Sequence, residues 1–284
     1  MPELPEVETV RLELNNKIVG RKINKVIVNH LKIIQKFSQA EFTRELKGKT
    51  IKKVLRRGKY IIIDLFPKSQ LIVHLGMTGI LIYPYRNNSF EINKNLIKPK
   101  HNHIIFSFTD STRLVFNDVR KFGKVYLTNG IMEIDSIAKL GVEPLSDKFT
   151  KELFFKLLKM HQKKRIKSLI MNQKLIVGLG NIYANEALYR AHVHPMRLAS
   201  SLNYYETFIL HKQIQLVLRK AIQLKGSTIS DGAFRDTDGK KGEFEQEIQI
   251  YGRRGKTCVK CQHTIEMVRI EGRSSFYCPI CQKL

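Results

Sequence analysis

The 284-residue chain contains no apolar run near the ~18 residues that a membrane-spanning helix needs. Its opening, MPELPEVETV, is acidic and lacks the continuous apolar stretch of a secretory signal. A helical membrane protein and an exported protein are therefore excluded, and a cytoplasmic chain is expected. Acidic residues are scarce: 25 Asp+Glu face 50 Lys+Arg, giving a formal net charge of +25 and a pI of about 9.9. No internal repeat is apparent, and no cysteine precedes position 258. What is present is enough to fold: 43% of residues are hydrophobic, which excludes intrinsic disorder, and the length suggests two domains.

A charge of +25 points to a polyanion partner, although a codon bias toward Lys, Ile and Asn would give the same excess. Its distribution favours the partner. Residues 1–20 are net acidic, with Glu3, Glu6, Glu8 and Glu13 against Arg11 and Lys17. Residues 156–175 carry Lys156, Lys159, Lys163, Lys164, Arg165, Lys167 and Lys174 and no acid. Drift would spread charge more evenly.

All four cysteines, Cys258, Cys261, Cys278 and Cys281, follow the spacing C-x2-C-x16-C-x2-C. Two Cys-x2-Cys turns complete a tetrahedron around one Zn²⁺, and four thiolates leave no open position, so the ion is structural. A pair of disulfides would need an oxidising compartment, for which there is no export signal. Between the pairs, residues 264–269 and 274–277 read as two strands joined at Glu271-Gly272. A basic zinc hairpin suits a nucleic-acid backbone; a zinc staple that only stabilises the tail is the alternative.

Leu4, Val7, Val10, Leu14 and Ile18 recur at helical spacing, so residues 5–18 form an amphipathic helix, with Pro5 tolerated in its first turn. From Lys22 to Thr128 short β-rich runs follow, among them 25–29, 61–66, 71–74, 104–109 and 113–117, and they read as an all-β sandwich or barrel. The polar stretch from Tyr85 to His103 reads as an exposed loop. Helices are expected near 148–161, 164–172, 181–191 and 203–225. The fold class is α+β in two domains: residues 1–130 form a β domain with its N-terminal helix, 131–147 a linker, 148–243 a helical domain, and 249–284 the zinc hairpin. Gly178-Leu179-Gly180-Asn181 lacks the third glycine of a dinucleotide fingerprint. Asn181 is a good N-cap, and the amides after it would suit a phosphate, although a plain helix–helix turn explains the run as well.

Removal of Met1 would leave Pro2 as a terminal secondary amine. Such an amine titrates near ~8, far below lysine, and its attack on a sugar C1′ gives an iminium that acidifies the C2′ proton. Most chains that begin Met-Pro have an inert terminus, so chemistry alone does not assign this role.

The run Pro2-Glu3-Leu4-Pro5-Glu6-Val7-Glu8-Thr9 resembles the start of the bacterial formamidopyrimidine-DNA glycosylases. The likeness continues through Arg56–Tyr60, His74–Gly79, Asp118–Gly123, Val177–Ala184, Tyr251–Arg253 and Gly272–Cys278. It implies an antiparallel β-sandwich, a helix-two-turn-helix domain with a lesion-capping loop, and a β-hairpin zinc finger. It also implies a monomeric base-excision repair enzyme that removes 8-oxoguanine and formamidopyrimidines from duplex DNA and then cleaves abasic sites by β,δ-elimination. No nucleotide cofactor is implied.

By the same resemblance Pro2 is the Schiff-base nucleophile, Glu3 the proton donor, Lys59 the residue of β-elimination and Arg273 that of δ-elimination. Read alone, Lys59 is a strand-borne surface lysine and Arg273 a turn arginine that binds phosphate. Met77, Arg120 and Phe122 resemble the set that fills the void left by a flipped base, whereas composition alone would put Met77 and Phe122 in the core. His74, His101, Lys163 and Asn181 match phosphate-binding positions. The chain departs from the pattern at Val119, where proline is usual, and at Lys121, where arginine is usual. The 226–239 segment, with Ser227-Thr228-Ile229-Ser230-Asp231-Gly232-Ala233-Phe234, fits no pattern closely enough to name lesion contacts. The rival within the same chemistry is the endonuclease VIII type, directed at oxidised pyrimidines; Leu4 and the Met77/Arg120/Phe122 set argue against it. A catalytically inactive zinc-containing DNA-binding protein is the rival outside it.

Overall fold

The computed structural model describes residues 1–85, 98–229 and 234–284, so part of the expected 85–103 loop and part of the expected capping loop lie outside the described residues. Two compact units divide the chain: Met1–Ala138 with Leu224–Glu243, and Lys139–Gln223 with Phe244–Leu284.

The first unit begins with helix α1 (Leu4–Ile18). Its predicted stripe, Leu4, Val7, Val10, Leu14 and Ile18, is fully buried, and Pro5 occupies the first turn as expected. In chain order there follow β1 (Ile23–Val28), β2 (Ile34–Gln35), α2 (Gln39–Leu46), β3 (Thr50–Arg57), β4 (Tyr60–Phe66), β5 (Ser69–His74), β6 (Gly79–Ile82), β7 (Asn102–Phe108), β8 (Arg113–Asp118), β9 (Lys124–Thr128) and the short α3 (Asp135–Ala138). One sheet has the order β1-β7-β8-β6 and the other β2-β9-β5-β4-β3. All pairs are antiparallel except the two-residue β2–β9 pair, which is parallel. The inward side chains of both sheets share one core: Val26, Phe106 and Phe116 from the first meet Val54, Ile63, Leu71 and Val73 from the second, closed by Val10 and Leu14 of α1 and Phe42 of α2. Alternation with period two puts these residues on one face of each sheet. Asn102 and His103, expected in the exposed loop, instead open β7 and are buried there.

Leu224–Glu243 departs from the expected organisation, which kept it with the helices. It packs in the first unit, with Phe234 in the sandwich core and Ser227 and Thr237 bonded to α1 carboxylates. A polar segment without periodicity does not reveal which neighbour supplies its partners; here these are Glu6 and Glu13.

The second unit carries α4 (Lys151–Met160), α5 (Ile166–Ile170), α6 (Asn181–Arg190) and α7 (Tyr204–Gln223), close to the expected helices. Thr150 caps α4 by accepting from the Leu153 amide at 3.1 Å. Strands β10 (Glu266–Ile270) and β11 (Arg273–Tyr277) form the expected hairpin. Its turn is Glu271-Gly272, both at positive φ, the type I′ geometry that matches strand twist. A small core of Tyr189, Ile250 and Ile265 backs the cysteines.

Candidate functional site

Pro2 and Glu3 are buried, at the very start of α1. The Glu6 carboxylate, 1% exposed, holds them in place. Its Oε2 accepts from the Glu3 amide at 2.7 Å, and its Oε1 accepts from the Ser227 amide at 2.7 Å. One side chain thus fastens both the N-terminal segment and the start of the 227 segment. Gly226 makes this approach possible: its φ is +78°, and a Cβ there would lie 2.7 Å from Glu6 Oε1. Further along α1, Glu13 accepts from the Thr237 amide at 2.9 Å, and Lys17 donates to Asp238 at 2.6 Å.

Lys59 stands in the two-residue turn of the β3–β4 hairpin, between the paired Arg57 and Tyr60, and not within a strand. It is only 9% exposed, an unusual burial for a lysine on a turn. A chain of contacts ties this turn to α1: Glu8 accepts from Arg56 Nε at 2.8 Å and from Arg11, and Arg56 donates to the Gly58 carbonyl at 3.0 Å. His74, at the end of β5, pairs across the sheet with Tyr60 and Lys124. Burial pushes its imidazole down to about 4, aided by the Lys59 and Lys124 charges. The ring is therefore neutral at pH 7, and Nδ1 accepts from the Gly76 amide at 3.1 Å. Its proton then resides on Nε2, which leaves a neutral N–H donor there.

The turn after β8 is built on Asp118, which has no exposed surface. Oδ1 accepts from the Thr78 hydroxyl at 2.5 Å and the Arg120 amide at 3.2 Å, and Oδ2 accepts from the Gly123 amide at 2.8 Å. His103 Nε2 donates to the Asp118 carbonyl at 2.7 Å. The His74–Gly79 loop lies against this turn: Gly76 has φ +64°, and a Cβ on it would meet the Phe122 carbonyl carbon at 2.6 Å. Met77 is half-buried on that loop. Arg120 and Phe122 project from the turn, the guanidinium 4.9 Å from the ring centroid and Phe122 53% exposed. A large aromatic held outside the core beside a cation is a surface for stacking, so the core alternative for Phe122 fails. His101 is half-buried in the turn before β7, its ring 6.3 Å from that of His103, and burial and the Lys100 charge lower its pKa.

In the second unit Lys163 is exposed between α4 and α5. Asn181 is the first residue of α6 and not its N-cap, which is Gly180. The turn before α6 is braced by Gln173, which accepts from the Gly178 amide and donates to the Leu179 carbonyl, each at 2.8 Å. Arg273 is exposed on the first residue of β11. Lys167, 1% exposed, donates to the Ser274 carbonyl and the Ser275 hydroxyl, both at 2.7 Å, and so fixes the strand beside it.

The four cysteine sulfurs lie within 4.8 Å of one another. Cys258 and Cys281 are 3.8 Å apart and Cys261 and Cys278 3.4 Å apart, far beyond the ~2.05 Å of a disulfide. A tetrahedral ion with Zn–S bonds of about 2.3 Å would space its sulfurs by about 3.8 Å. The donor set and spacing fit one structural zinc. Tyr189 donates its hydroxyl to Cys258 Sγ at 3.1 Å, and the buried Glu186 accepts from the Gln249, Ile250 and Tyr251 amides at the entry to the hairpin.

Sequence reasoning missed Glu6, Asp118, His103 and Lys167 as organisers. Asp118 lay inside a run already singled out, and Lys167 inside the basic stretch.

Three family descriptions match the chain in order: "Formamidopyrimidine-DNA glycosylase N-terminal domain" over residues 1–125, "Formamidopyrimidine-DNA glycosylase H2TH domain" over 140–232, and "Zinc finger found in FPG and IleRS" over 255–284. The chain belongs to the formamidopyrimidine-DNA glycosylase family. Relatives named formamidopyrimidine-DNA glycosylase include that of Wolbachia pipientis from Culex pipiens, 42% identical and covering 99% of this chain and 100% of its own. That of Pelotomaculum thermopropionicum is also 42% identical, with 100% of both chains covered. Among solved structures, the MutM (Fpg) protein of Thermus thermophilus superposes with a TM-score of 0.86 at 35% identity, covering 99% of this chain and 98% of its own. A Lactococcus lactis Fpg in complex with Fapy-dG-containing DNA gives 0.88 at 35% identity over the whole of both chains. As in the rest of the family, the cysteine cluster of this glycosylase is a zinc finger. No helix among the described residues is long and apolar enough to cross a membrane.

Proposed function

We propose that this chain, a base-excision DNA glycosylase by family, removes oxidised purines from duplex DNA and cleaves the resulting abasic site through a Schiff base on Pro2. The observation that carries the reading is the buried Pro2–Glu3 segment, whose backbone is fixed by Glu6. Once Met1 is removed, the Pro2 nitrogen attacks C1′, and the C1′–N bond breaks with its electron pair leaving on the base. Glu3 supplies the proton that opens the sugar ring, and an iminium forms between Pro2 and C1′. Loss of the C2′ proton then expels the 3′ phosphate, with Lys59 assisting. Arg273, carried by the second unit, assists the δ-elimination that expels the 5′ phosphate. The zinc ion holds the hairpin fold and takes no part in these steps.

Met77, Arg120 and Phe122 replace the flipped base. The exposed Arg120–Phe122 pair on a turn braced by Asp118 suits insertion into a duplex. The neutral Nε2–H of His74, with His101, Lys163 and Asn181, donates to phosphate oxygens. The chain acts as a monomer on nucleoid DNA in the cytoplasm.

Product analysis tests the reading. An 8-oxoguanine:C duplex should lose its base and be cleaved to phosphate-terminated ends. Preference for a thymine-glycol duplex would assign the chain to the oxidised-pyrimidine type instead.

A further inference from the structure

Helix α6 carries Asn181 at its first position, and Asn185 stands one turn further on, only 1% exposed. A buried amide needs its oxygen and its NH₂ on matching partners, and those partners fix which way it faces. For Asn185 they allow a single answer. Its Oδ1 accepts from the Phe276 backbone N–H at 2.8 Å, a group that can only donate. Its Nδ2 then faces Asn181, donating to the Asn181 carbonyl at 2.6 Å and to the Asn181 Oδ1 at 3.3 Å. The reverse flip would set NH₂ against the Phe276 N–H and oxygen against the Asn181 carbonyl.

The zinc hairpin supplies the donor that sets this orientation. Strand β11 turns one edge to the helices: Lys167 of α5 takes the Ser274 carbonyl and, two residues on, Asn185 of α6 takes the Phe276 N–H. The consequence falls on Asn181. With the Asn185 NH₂ beside it, Asn181 keeps its Oδ1 on that side and its own NH₂ on the other. Among the described residues that NH₂ donates to no group, and Asn181 is half-buried, not covered. A phosphate oxygen only accepts, so the NH₂ end of an asparagine is the end that can hold it.

We propose that Asn185 is a positioning residue, which turns the Asn181 amide so that its NH₂ faces a DNA phosphate. The proposal rests on Asn181 as a phosphate contact. The Phe276 N–H, the Asn185 amide and the Asn181 amide form a chain of one polarity, in which each donor feeds the next acceptor and the last donor is strengthened.

A double-mutant cycle on the full chain tests this, with affinity for a duplex carrying a tetrahydrofuran abasic analogue read by fluorescence anisotropy. Asn185→Asp keeps the shape and still accepts from Phe276, but its second oxygen draws the Asn181 NH₂ inward. It should weaken binding about tenfold or more, as should Asn181→Ala, because each loses a hydrogen bond to a charged group. With Asn181→Ala already present, Asn185→Asp should weaken binding only about threefold further, the effect of its charge alone. Asn185→Ala adds no charge; it should weaken binding about threefold in the wild type and leave it unchanged beside Asn181→Ala, so the cycle can be closed even where the aspartate variant does not fold. Lys163→Ala, as a contact outside the chain of amides, should cost the same factor in wild-type and Asn185→Asp proteins. Wild-type affinity in Asn185→Asp, or equal factors with and without Asn181 for either variant, would overturn the proposal while leaving the Asn181 contact in place. Wild-type affinity in Asn181→Ala would remove that contact, and the proposal with it.

Discussion

Substituting Glu6 by glutamine separates the two contacts that fasten the N-terminal segment. The wild-type carboxylate is 1% exposed and uses both oxygens as acceptors, toward the Glu3 amide and the Ser227 amide, each at 2.7 Å. Glutamine has the same shape, but one of its two terminal atoms is an NH₂ group. In either flip that NH₂ faces an N–H donor, so one contact is lost and a buried amide is left without an acceptor. A hydrogen bond to a charged group contributes about 1.5–3 kcal/mol, and an unsatisfied buried donor costs about 1–3 kcal/mol. A loss of about 2–4 kcal/mol from the first unit follows, within the range of severe single substitutions. The chain has no tryptophan, so urea unfolding should be followed by circular dichroism. The chemistry should suffer as well: misplacing a nucleophile by about 1 Å costs on the order of 100-fold. Single-turnover trapping on 8-oxoguanine duplex should slow by tenfold or more, even well below the melting temperature. A variant within 0.5 kcal/mol of wild type that traps at the wild-type rate would refute the bridging role of Glu6.

Other outcomes follow from the same geometry. Removing the metal with a chelator should unfold the zinc hairpin and weaken DNA binding, and metal analysis of the native chain should find one zinc per molecule. The double variant Arg120→Ala/Phe122→Ala should keep its stability within about 0.5 kcal/mol, because both side chains project outward. It should nevertheless lose roughly 1–3 kcal/mol of affinity for a lesion or abasic duplex relative to intact DNA, read by fluorescence anisotropy. The His74 imidazole titrates near 4 in the folded chain against 6.5 in the unfolded one. Between those values the unfolded state binds a proton that the folded state refuses, so stability falls as pH drops from 6.5 toward 4, by on the order of 3 kcal/mol. Urea midpoints at pH 7.5 and 4.5 should show this fall, and His74→Gln should flatten it.

Period and spacing account for what could be read before the structure. The Leu4–Ile18 stripe turns every 3.6 residues, the core strands alternate, and C-x2-C pairs have few other uses, so α1, most of the sandwich and the zinc hairpin were legible. Helix α2 was not singled out, although its Ser38-x-x-Glu41 capping box is a local signal. Glu6, Asp118 and Lys167 were illegible as organisers for another reason. Each makes at least one contact that is distant in sequence, Glu6 to Ser227, Asp118 to Thr78 and Lys167 to Ser274 and Ser275, and such partners leave no periodic trace. The same holds for the 224–243 segment, whose attachment rests on Glu6, Glu13 and Phe234. Lys59 was read from the resemblance; its burial in a hairpin turn became visible only in three dimensions.

The proposed chemistry begins at the Pro2 nitrogen. Incubation with an abasic or 8-oxoguanine duplex in borohydride, followed by mass spectrometry of the N-terminal peptide, tests this most directly. The prediction is a reduced sugar adduct on a terminal proline with Met1 absent, and no adduct in a Pro2→Gly variant at matched time. A chain with a free proline terminus that binds the duplex yet yields no adduct would contradict it.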